Sequence, residues 1–166
     1  MQYSKKMRTT DKPTLQVFHI EGVKHINPED ALEALNNGEA VMLDVREINE
    51  VTRERVPLDP VINHPMSVIL ERLPYISKDQ NIIVACPGGV RSSKVAIILM
   101  EHGYESVASL DGGFKTWIAK GLPYERNIST NGCGCSSDTK SKDTILKTKA
   151  ANIGAKNIDY KNLKRI

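Results

Sequence analysis

Two continuous apolar runs constrain the fold of this chain more than any other feature of its sequence. AVMLDVRE (40–47) and NIIVAC (81–86) contain runs of consecutive apolar residues, at 40–43 and 82–86, instead of alternating apolar with polar ones. That pattern is typical of strands buried on both faces, as in parallel sheets that are covered by helices. Ligands of such sheets bind outside the carboxyl ends of the strands. The residues that follow these two runs are therefore the first candidates for a functional site.

Strand-like and helix-like segments alternate along the rest of the chain. Asn27, Pro28 and Gly38 are residue types that cap, start and end a helix, and they bracket the first helical segment. The alternation predicts an α/β domain, a doubly wound and mostly parallel sheet with helices on both faces. The predicted helices cover 28–38, 67–76, 91–103 and 114–121. The sequence also predicts a short strand at 61–65, a short strand and turn at 106–113, and an irregular loop at 51–60.

Length and charge divide the chain into one domain and a tail. The 166 residues suffice for a single domain with a core. We predict a flexible lead at 1–14, the domain at 15–126, and a polar, basic, flexible tail at 127–166. The net charge of +3 is uneven, because 136–166 holds eight Lys or Arg and three Asp or Glu. The basic character therefore belongs to the tail, and the absence of a basic stripe with aromatic residues argues against a nucleic-acid-binding domain.

Composition also favours one cellular compartment. No stretch reaches the roughly 18 consecutive apolar residues of a membrane helix, and the polar N-terminal segment predicts no secretory signal. Three cysteines are an odd number and too few for a disulfide scaffold. They favour a reducing compartment, the cytoplasm, and one or more functional thiols.

The stretch CPGGVRS (86–92) carries the strongest indication of chemistry. Its glycines permit a sharp turn between strand and helix, and successive N–H groups in such a turn can form an anion-binding nest. The positive end of the following helix would also stabilise negative charge on the Cys86 sulfur. Arg91 adds a planar, charged fork suited to an oxyanion. A buried structural cysteine at a tight turn is the alternative. We predict Cys86 as the nucleophile, with a stabilising loop of Pro87, Gly88, Gly89, Val90, Arg91 and Ser92, whose hydroxyl can cap the helix.

The same stretch resembles the C-x-x-G-x-R-S loop of rhodanese-like sulfurtransferases. Three further segments are similar to motifs of that family and occur in the same order, so that the resemblance covers roughly 22–126. They are MLDVRE (42–47), similar to a D-V-R-E strand end, VINHPMSVIL (61–70), similar to A-x-N-I-P-L, and LDGGFKTWIAKGLPYE (110–125), similar to L-x-G-G-x-x-x-W-x-x-x-G-x-P-V.

The resemblance implies a parallel five-stranded sheet and a sulfurtransferase that needs neither a metal nor an organic cofactor. Cys86 would take the outer sulfur of a small donor, thiosulfate or polysulfide, as a persulfide and pass it to a thiophilic acceptor. The acceptor would be cyanide, a small thiol or a protein, and the two steps predict ping-pong kinetics. The loop has neither the C-R-K-G-V-T nor the C-G-S-G-V-T form, so the donor stays open. The alternative is a persulfide carrier or regulatory module that serves a protein partner with little small-molecule turnover.

The spacing within the loop distinguishes this chemistry from a related one. Phosphatases and arsenate reductases related to this fold hold their oxyanions in C-x5-R loops. Here four residues separate Cys86 from Arg91. The shorter loop leaves a smaller cradle, which favours a sulfur atom over a tetrahedral oxyanion.

Two groups of residues outside the loop have two interpretations each, and Trp117 and His64 have one. Asp44 and Arg46, at the strand end predicted to flank the loop, either organise its rim or form an ion pair that supports the fold. The 111–113 turn either lines the site or serves as scaffold, and the second is favoured. Trp117 is expected in the core. His64 is not expected to be a base, because a thiolate stabilised by the loop needs none.

Two further thiols lie in the predicted tail. Cys133 and Cys135 form the sequence GCGCS. They could relay the sulfur from Cys86, resolve it as a disulfide, bind a soft metal such as zinc or copper(I), or have no role. Two ligands make an incomplete metal site, so the prediction for the chain is that it holds no metal.

Overall fold

A five-stranded sheet forms the centre of residues 6–127, the part of the chain that the computed structural model describes. Its strands are β1 (Lys24–Ile26), β2 (Ala40–Asp44), β4 (Val61–Asn63), β5 (Asn81–Ala85) and β6 (Val107–Leu110). A separate antiparallel pair consists of β3 (Glu54–Arg55) and β7 (Glu125–Arg126). The helices are α1 (Pro28–Asn36), α2 (Ile48–Val51), α3 (Ile69–Arg72), α4 (Val90–Glu101) and α5 (Gly113–Ala119).

The two strands with long apolar runs, β2 and β5, lie inside the strand order β1-β6-β5-β2-β4. Every pairing in this sheet is parallel. β2 and β5 are hydrogen-bonded to each other and to a further strand on their other side. Residues of α1 and α5 pack on one face of the sheet, and residues of α3 and α4 pack on the other. The predicted doubly wound α/β fold with helices on both faces is therefore confirmed.

Alternate residues of β5 point into two separate cores. Ile83 and Ala85 pack with residues of α1 and α5. Ile82 and Val84 pack with residues of α3 and α4, and Cys86, one residue beyond the strand, continues on that side. The period of two along a strand thus sends the Cys86 side chain toward α4.

The predicted helix at 67–76 is shorter in the structure than its apolar pattern suggests. Only α3 is α-helical, between 3₁₀ turns at Met66–Val68 and Leu73–Tyr75. Pro74 explains the break, because a proline has no N–H to donate to the carbonyl of residue 70 and its ring crowds that carbonyl. The first helix follows the prediction more closely: the Asn27 side chain accepts the Glu29 N–H, and Pro28 occupies the first turn.

Four short elements were not predicted from the sequence. β1 has three residues, of which two are Lys24 and His25, and so lacks an apolar run. α2, β3 and β7 have four, two and two residues. The loop predicted at 51–60 is wrong in part, because α2 ends within it and β3 pairs with β7, about seventy residues further along the chain.

The segment before residue 15 already touches the domain. Met7 is buried in the first core, and Thr10 exchanges two backbone hydrogen bonds with His25, each of 2.8 Å. The predicted boundaries at 15 and 126 stay predictions, and the tail from 128 onward lies outside the described residues. Within 6–127, no helix is both long and apolar enough to cross a membrane.

Candidate active site

The Cys86 sulfur lies in a cradle of donors at the carboxyl edge of the sheet. Cys86 follows β5 directly, and only 1% of its surface is exposed. Its Sγ accepts the N–H of Gly89 at 3.1 Å and the N–H of Ser92 at 3.3 Å. The hydroxyl oxygen of Ser92 lies 3.4 Å from the same sulfur. Two backbone donors and one hydroxyl therefore surround a group that water barely reaches.

The start of α4 is built around this sulfur. Gly89 precedes the helix in a left-handed conformation, with φ of +89°, which other residue types resist. Ser92 is the third helical residue, so its N–H has no partner within the helix. The predicted cap by the Ser92 hydroxyl is not observed; the Cys86 sulfur accepts the free N–H instead. The Ser92 hydroxyl is hydrogen-bonded to Ser109 of β6 at 2.8 Å.

The N-terminus of α5 fixes the other side of the loop. Phe114 N–H donates to the carbonyl of Cys86 at 2.9 Å, and Lys115 N–H donates to that of Pro87 at 3.0 Å. These carbonyls are thereby engaged away from the sulfur. Gly113 makes the approach possible, because a β-carbon there would collide with the Cys86 carbonyl oxygen. Of the 111–113 turn, Gly113 is thus the residue that packs on the loop.

We expect Gly113→Ala to destabilise the domain more than Gly121→Ala. Both glycines have positive φ, +61° and +69°, so each alanine carries a similar backbone strain of about 1–2 kcal/mol. Only at Gly113 would the new methyl group also meet backbone atoms; at Gly121 the space is open. Urea unfolding of both variants measures the difference. Equal losses of unfolding free energy would show that α5 does not press on the loop.

Arg91 holds α2 against the loop. Its Nη1 and Nη2 donate to the two carboxylate oxygens of Glu50, both at 2.8 Å. About a third of each side chain is exposed. Glu50 also accepts the N–H of Glu47, which closes a capping box at the start of α2. The fork that was predicted to receive an oxyanion is therefore engaged by a carboxylate in this structure.

The Arg91 hydrogen bonds lower the pKa of Glu50 from 4.5 to about 2. Because the pKa is lower in the folded than in the unfolded protein, the ionised Glu50 stabilises the fold at pH values above its unfolded pKa. This stabilisation is lost as the pH falls through the folded pKa. We expect the difference in unfolding free energy between wild type and Glu50→Gln to be constant above pH 5 and to shrink between about pH 4.5 and 2. Chemical unfolding at several pH values measures it. Glu101→Gln, at an exposed position of α4, is the control, and a difference that persists unchanged at pH 2 would contradict the assignment.

Asp44 and Arg46 form a buried ion pair with each other. Their exposed fractions are 1% and 2%, and Arg46 Nη2 lies 2.7 Å from Asp44 Oδ2. Arg46 also donates to the Tyr124 hydroxyl at 2.9 Å and to the Glu54 carbonyl at 3.0 Å. The guanidinium lies 4.4 Å from the ring centre of Phe114. These contacts connect the end of β2 to the C-terminal part of the domain. The geometry therefore matches an ion pair that supports the fold, not one that organises the rim of the loop.

His64 has no partner that would make it a general base. Its Nδ1 is buried and has no hydrogen-bond partner among the described residues. Burial lowers the pKa of this side chain and the nearby charge of Arg72 lowers it further, so the ring is neutral at pH 7. Trp117 is fully buried, as predicted, and its indole N–H donates to the Pro123 carbonyl.

Three residues that complete the site were missed from the sequence. Glu50 had a local signal, because Glu47 and Glu50 have the spacing of a capping box. Ser109, which is hydrogen-bonded to Ser92, and Gln16, whose carboxamide lies against Gly89, had none. Each reaches the loop only through the tertiary fold. Cys133 and Cys135 lie outside the described residues.

Comparisons with known proteins identify the family. The model of the family described as "Rhodanese-like domain" matches residues 27–120. A protein named thiosulfate sulfurtransferase GlpE, from Glaesserella parasuis, is 34% identical over 106 residues, which are 63% of this chain and 95% of the relative. A protein named sulfurtransferase, from Allochromatium vinosum, is 33% identical over 61% of this chain and 94% of its own length.

Solved structures agree with the sequence comparison. A rhodanese-related protein from Thermoplasma volcanium has a TM-score of 0.55 and 29% identity, over 61% of this chain and 96% of the other. A rhodanese-like domain from Anabaena has a TM-score of 0.58 over 77% of this chain and 98% of the other, and at 21% identity it supports the fold alone. A protein from Rhodopseudomonas palustris described as a possible tyrosine phosphatase has a TM-score of 0.53 and 25% identity, over 62% and 85% of the two chains. With the parallel sheet, the cysteine loop and a family match over more than half of its length, the chain belongs to the rhodanese-like domain family.

Proposed function

We propose that this protein is a sulfurtransferase that carries sulfur on Cys86 as a persulfide. The observation that supports it is the donor cradle, in which the N–H groups of Gly89 and Ser92 point at a sulfur that is 1% exposed. A buried anion is unfavourable unless hydrogen bonds stabilise it. The cradle and the positive end of α4 supply that stabilisation.

The first step transfers one sulfur atom to the enzyme. The Cys86 thiolate attacks the outer sulfur of thiosulfate, a new S–S bond forms, and the S–S bond of the donor breaks. Sulfite leaves with the electron pair of that bond. The enzyme now carries Cys86–S–S⁻, whose inner sulfur occupies the position of the thiolate sulfur beside Gly89 and Ser92.

The second step returns the enzyme to its starting state. A nucleophilic acceptor, cyanide or a thiolate, attacks the outer sulfur of the persulfide. Thiocyanate or a new persulfide leaves, and the Cys86 thiolate is regenerated, so charge and electrons balance without a cofactor. The relatives named thiosulfate sulfurtransferase make thiosulfate the first donor to test; polysulfide is the other.

Phosphate transfer is the less favoured chemistry for this loop. A phosphatase needs its arginine fork free to hold the phosphate oxygens, whereas both terminal nitrogens of Arg91 are bonded to Glu50. The loop is also one residue shorter than C-x5-R.

Turnover separates an enzyme from a dedicated carrier. We expect steady release of thiocyanate from thiosulfate and cyanide, with many equivalents formed for each Cys86 and the parallel reciprocal plots of ping-pong kinetics. A carrier that serves one protein partner would release one equivalent of sulfite and then stop. That result would support the alternative, a persulfide carrier or regulatory module of the cytoplasm.

The tail thiols are proposed as an internal sulfur acceptor. If they relay sulfur, then peptide mapping after loading should find the added sulfur on the peptide with Cys133 and Cys135 in wild type. It should be absent from that peptide in Cys86→Ser. Sulfur that never leaves Cys86 would instead point to a role in binding a soft metal, or to none.

A further inference from the structure

A segment that precedes the family match crosses the cysteine loop. This N-terminal strap, residues 14–18, lies before residue 27, where the match to the rhodanese-like domain begins. The buried carboxylate of Asp111 holds it in place, accepting the Thr14 N–H at 2.7 Å, the Thr14 hydroxyl at 3.0 Å and the Leu15 N–H at 3.0 Å. Asp111 thus connects the end of β6 to a part of the chain about a hundred residues earlier.

Gln16 is the strap residue that reaches the loop. Its Oε1 accepts the N–H of Gly112 at 2.9 Å, and its Nε2 donates to the carbonyl of Phe18 at 2.7 Å. These two bonds fix the orientation of the carboxamide. The fixed group lies against the α-carbon of Gly89, so closely that a β-carbon on Gly89 would collide with it.

Gly89 affects both the conformation of the loop and the hydrogen bonds to the Cys86 sulfur. Its N–H donates to Cys86 Sγ, and its left-handed φ of +89° lets α4 begin directly after that peptide group. A glycine has the largest backbone freedom of any residue, so neighbouring atoms must restrict it. No atom lies within 4 Å of the place where a β-carbon on Gly88 would be. At Gly89, by contrast, the carboxamide of Gln16 occupies that place.

We propose that Gln16 is a positioning residue for the Cys86 site. It holds Gly89 in the conformation that directs its N–H at the sulfur, and it does so without touching the reacting atoms. The proposal rests on the proposed function, because its effect on activity is an effect on persulfide formation. It assigns a part in the chemistry to the strap, a segment that the family match does not include.

The test compares Gln16→Ala and Gln16→Met with wild type. Methionine keeps much of the side-chain volume and removes both hydrogen bonds, so it remains informative if the alanine variant folds poorly. Gln80→Ala is the control, because Gln80 is the same residue type and lies at the amino end of β5, whereas Cys86 lies at its carboxyl end. Asp111→Asn weakens the attachment of the strap and should change the same readouts in the same direction.

Two readouts are needed, one chemical and one spectroscopic. We expect single-turnover loading with thiosulfate, followed by intact mass, to slow by about 5- to 10-fold in both Gln16 variants, the scale of one misdirected hydrogen bond. The amide resonances of Gly89 and Ser92 should shift, and the Gly89 amide should exchange faster with solvent. Gln80→Ala should leave both readouts unchanged.

The outcomes separate this proposal from the proposed function. If wild type loads sulfur and the Gln16 variants load it at the same rate with an unchanged Gly89 amide, Gln16 has no positioning role. A lower melting temperature with unchanged loading would mean that Gln16 only supports the fold. If wild type does not load at all, the sulfurtransferase proposal fails, and the Gly89 amide signal alone decides whether Gln16 positions the loop.

Discussion

Cys86→Ser should lose sulfur loading almost completely. A serine hydroxyl is not ionised at neutral pH and is a poor nucleophile toward sulfur, so we expect the rate to fall by more than about 10³-fold. Wild type incubated with thiosulfate should gain the mass of at least one sulfur atom and lose it again when cyanide is added. The serine variant should gain nothing. The N–H groups around residue 86 can donate to a serine oxygen as they do to sulfur, so we expect the variant to fold. Its unfolding curve checks this.

The tail thiols provide the control for that experiment. A Cys133→Ser, Cys135→Ser double variant keeps Cys86 and should gain one sulfur atom at the wild-type rate. Sulfur gained by Cys86→Ser would move the chemistry to Cys133 and Cys135 and overturn the assignment of the nucleophile. A wild type that gains sulfur from neither thiosulfate nor polysulfide would contradict the proposed function itself.

Arg46→Met should cause the largest loss of stability among the charged residues discussed. It leaves the Asp44 carboxylate 1% exposed and without its guanidinium, and breaking one side of a buried pair costs about 3–5 kcal/mol. The bonds to Tyr124 and Glu54 disappear as well. Urea unfolding measures the loss.

Two variants show whether burial is the reason. Arg91→Met breaks a bidentate pair of which about a third is exposed, and solvent-exposed pairs typically contribute about 1 kcal/mol. Asp44→Asn combined with Arg46→Met removes the uncompensated charge and should recover part of the loss. A loss at Arg46 no larger than that at Arg91 would mean that Asp44 is not stabilised by its partner.

The elements that were predicted correctly have their signals within a few residues. β2 and β5 each contain four consecutive apolar residues, and α1 has Asn27 and Pro28 at its start. β1 and the pair of β3 with β7 owe their structure to hydrogen bonds with distant strands, and their own residues are mostly polar. No local pattern encodes such pairing.

The site divides in the same way. The cysteine, the glycines and the start of α4 are consecutive in CPGGVRS, so their proximity follows from chain connectivity. The partner of Arg91 could not be derived, because Glu50 is 41 residues away. The position of Asp44 and Arg46 at the end of β2 was predicted. Whether their side chains face the loop or each other could not be predicted, because Arg46 is held by Tyr124 and Phe114, which only the folded chain brings close to it.

The Cys86 sulfur accepts the Ser92 N–H that the α4 helix leaves free. Whatever chemical group this sulfur carries is therefore also part of the end of a helix. Thiolate, persulfide and alkylated forms accept that hydrogen bond differently, so each form has its own free energy of unfolding. Catalytic state and folding stability are then thermodynamically linked. If Cys86 carries sulfur as proposed, the melting temperature should therefore differ between the loaded and the unloaded protein.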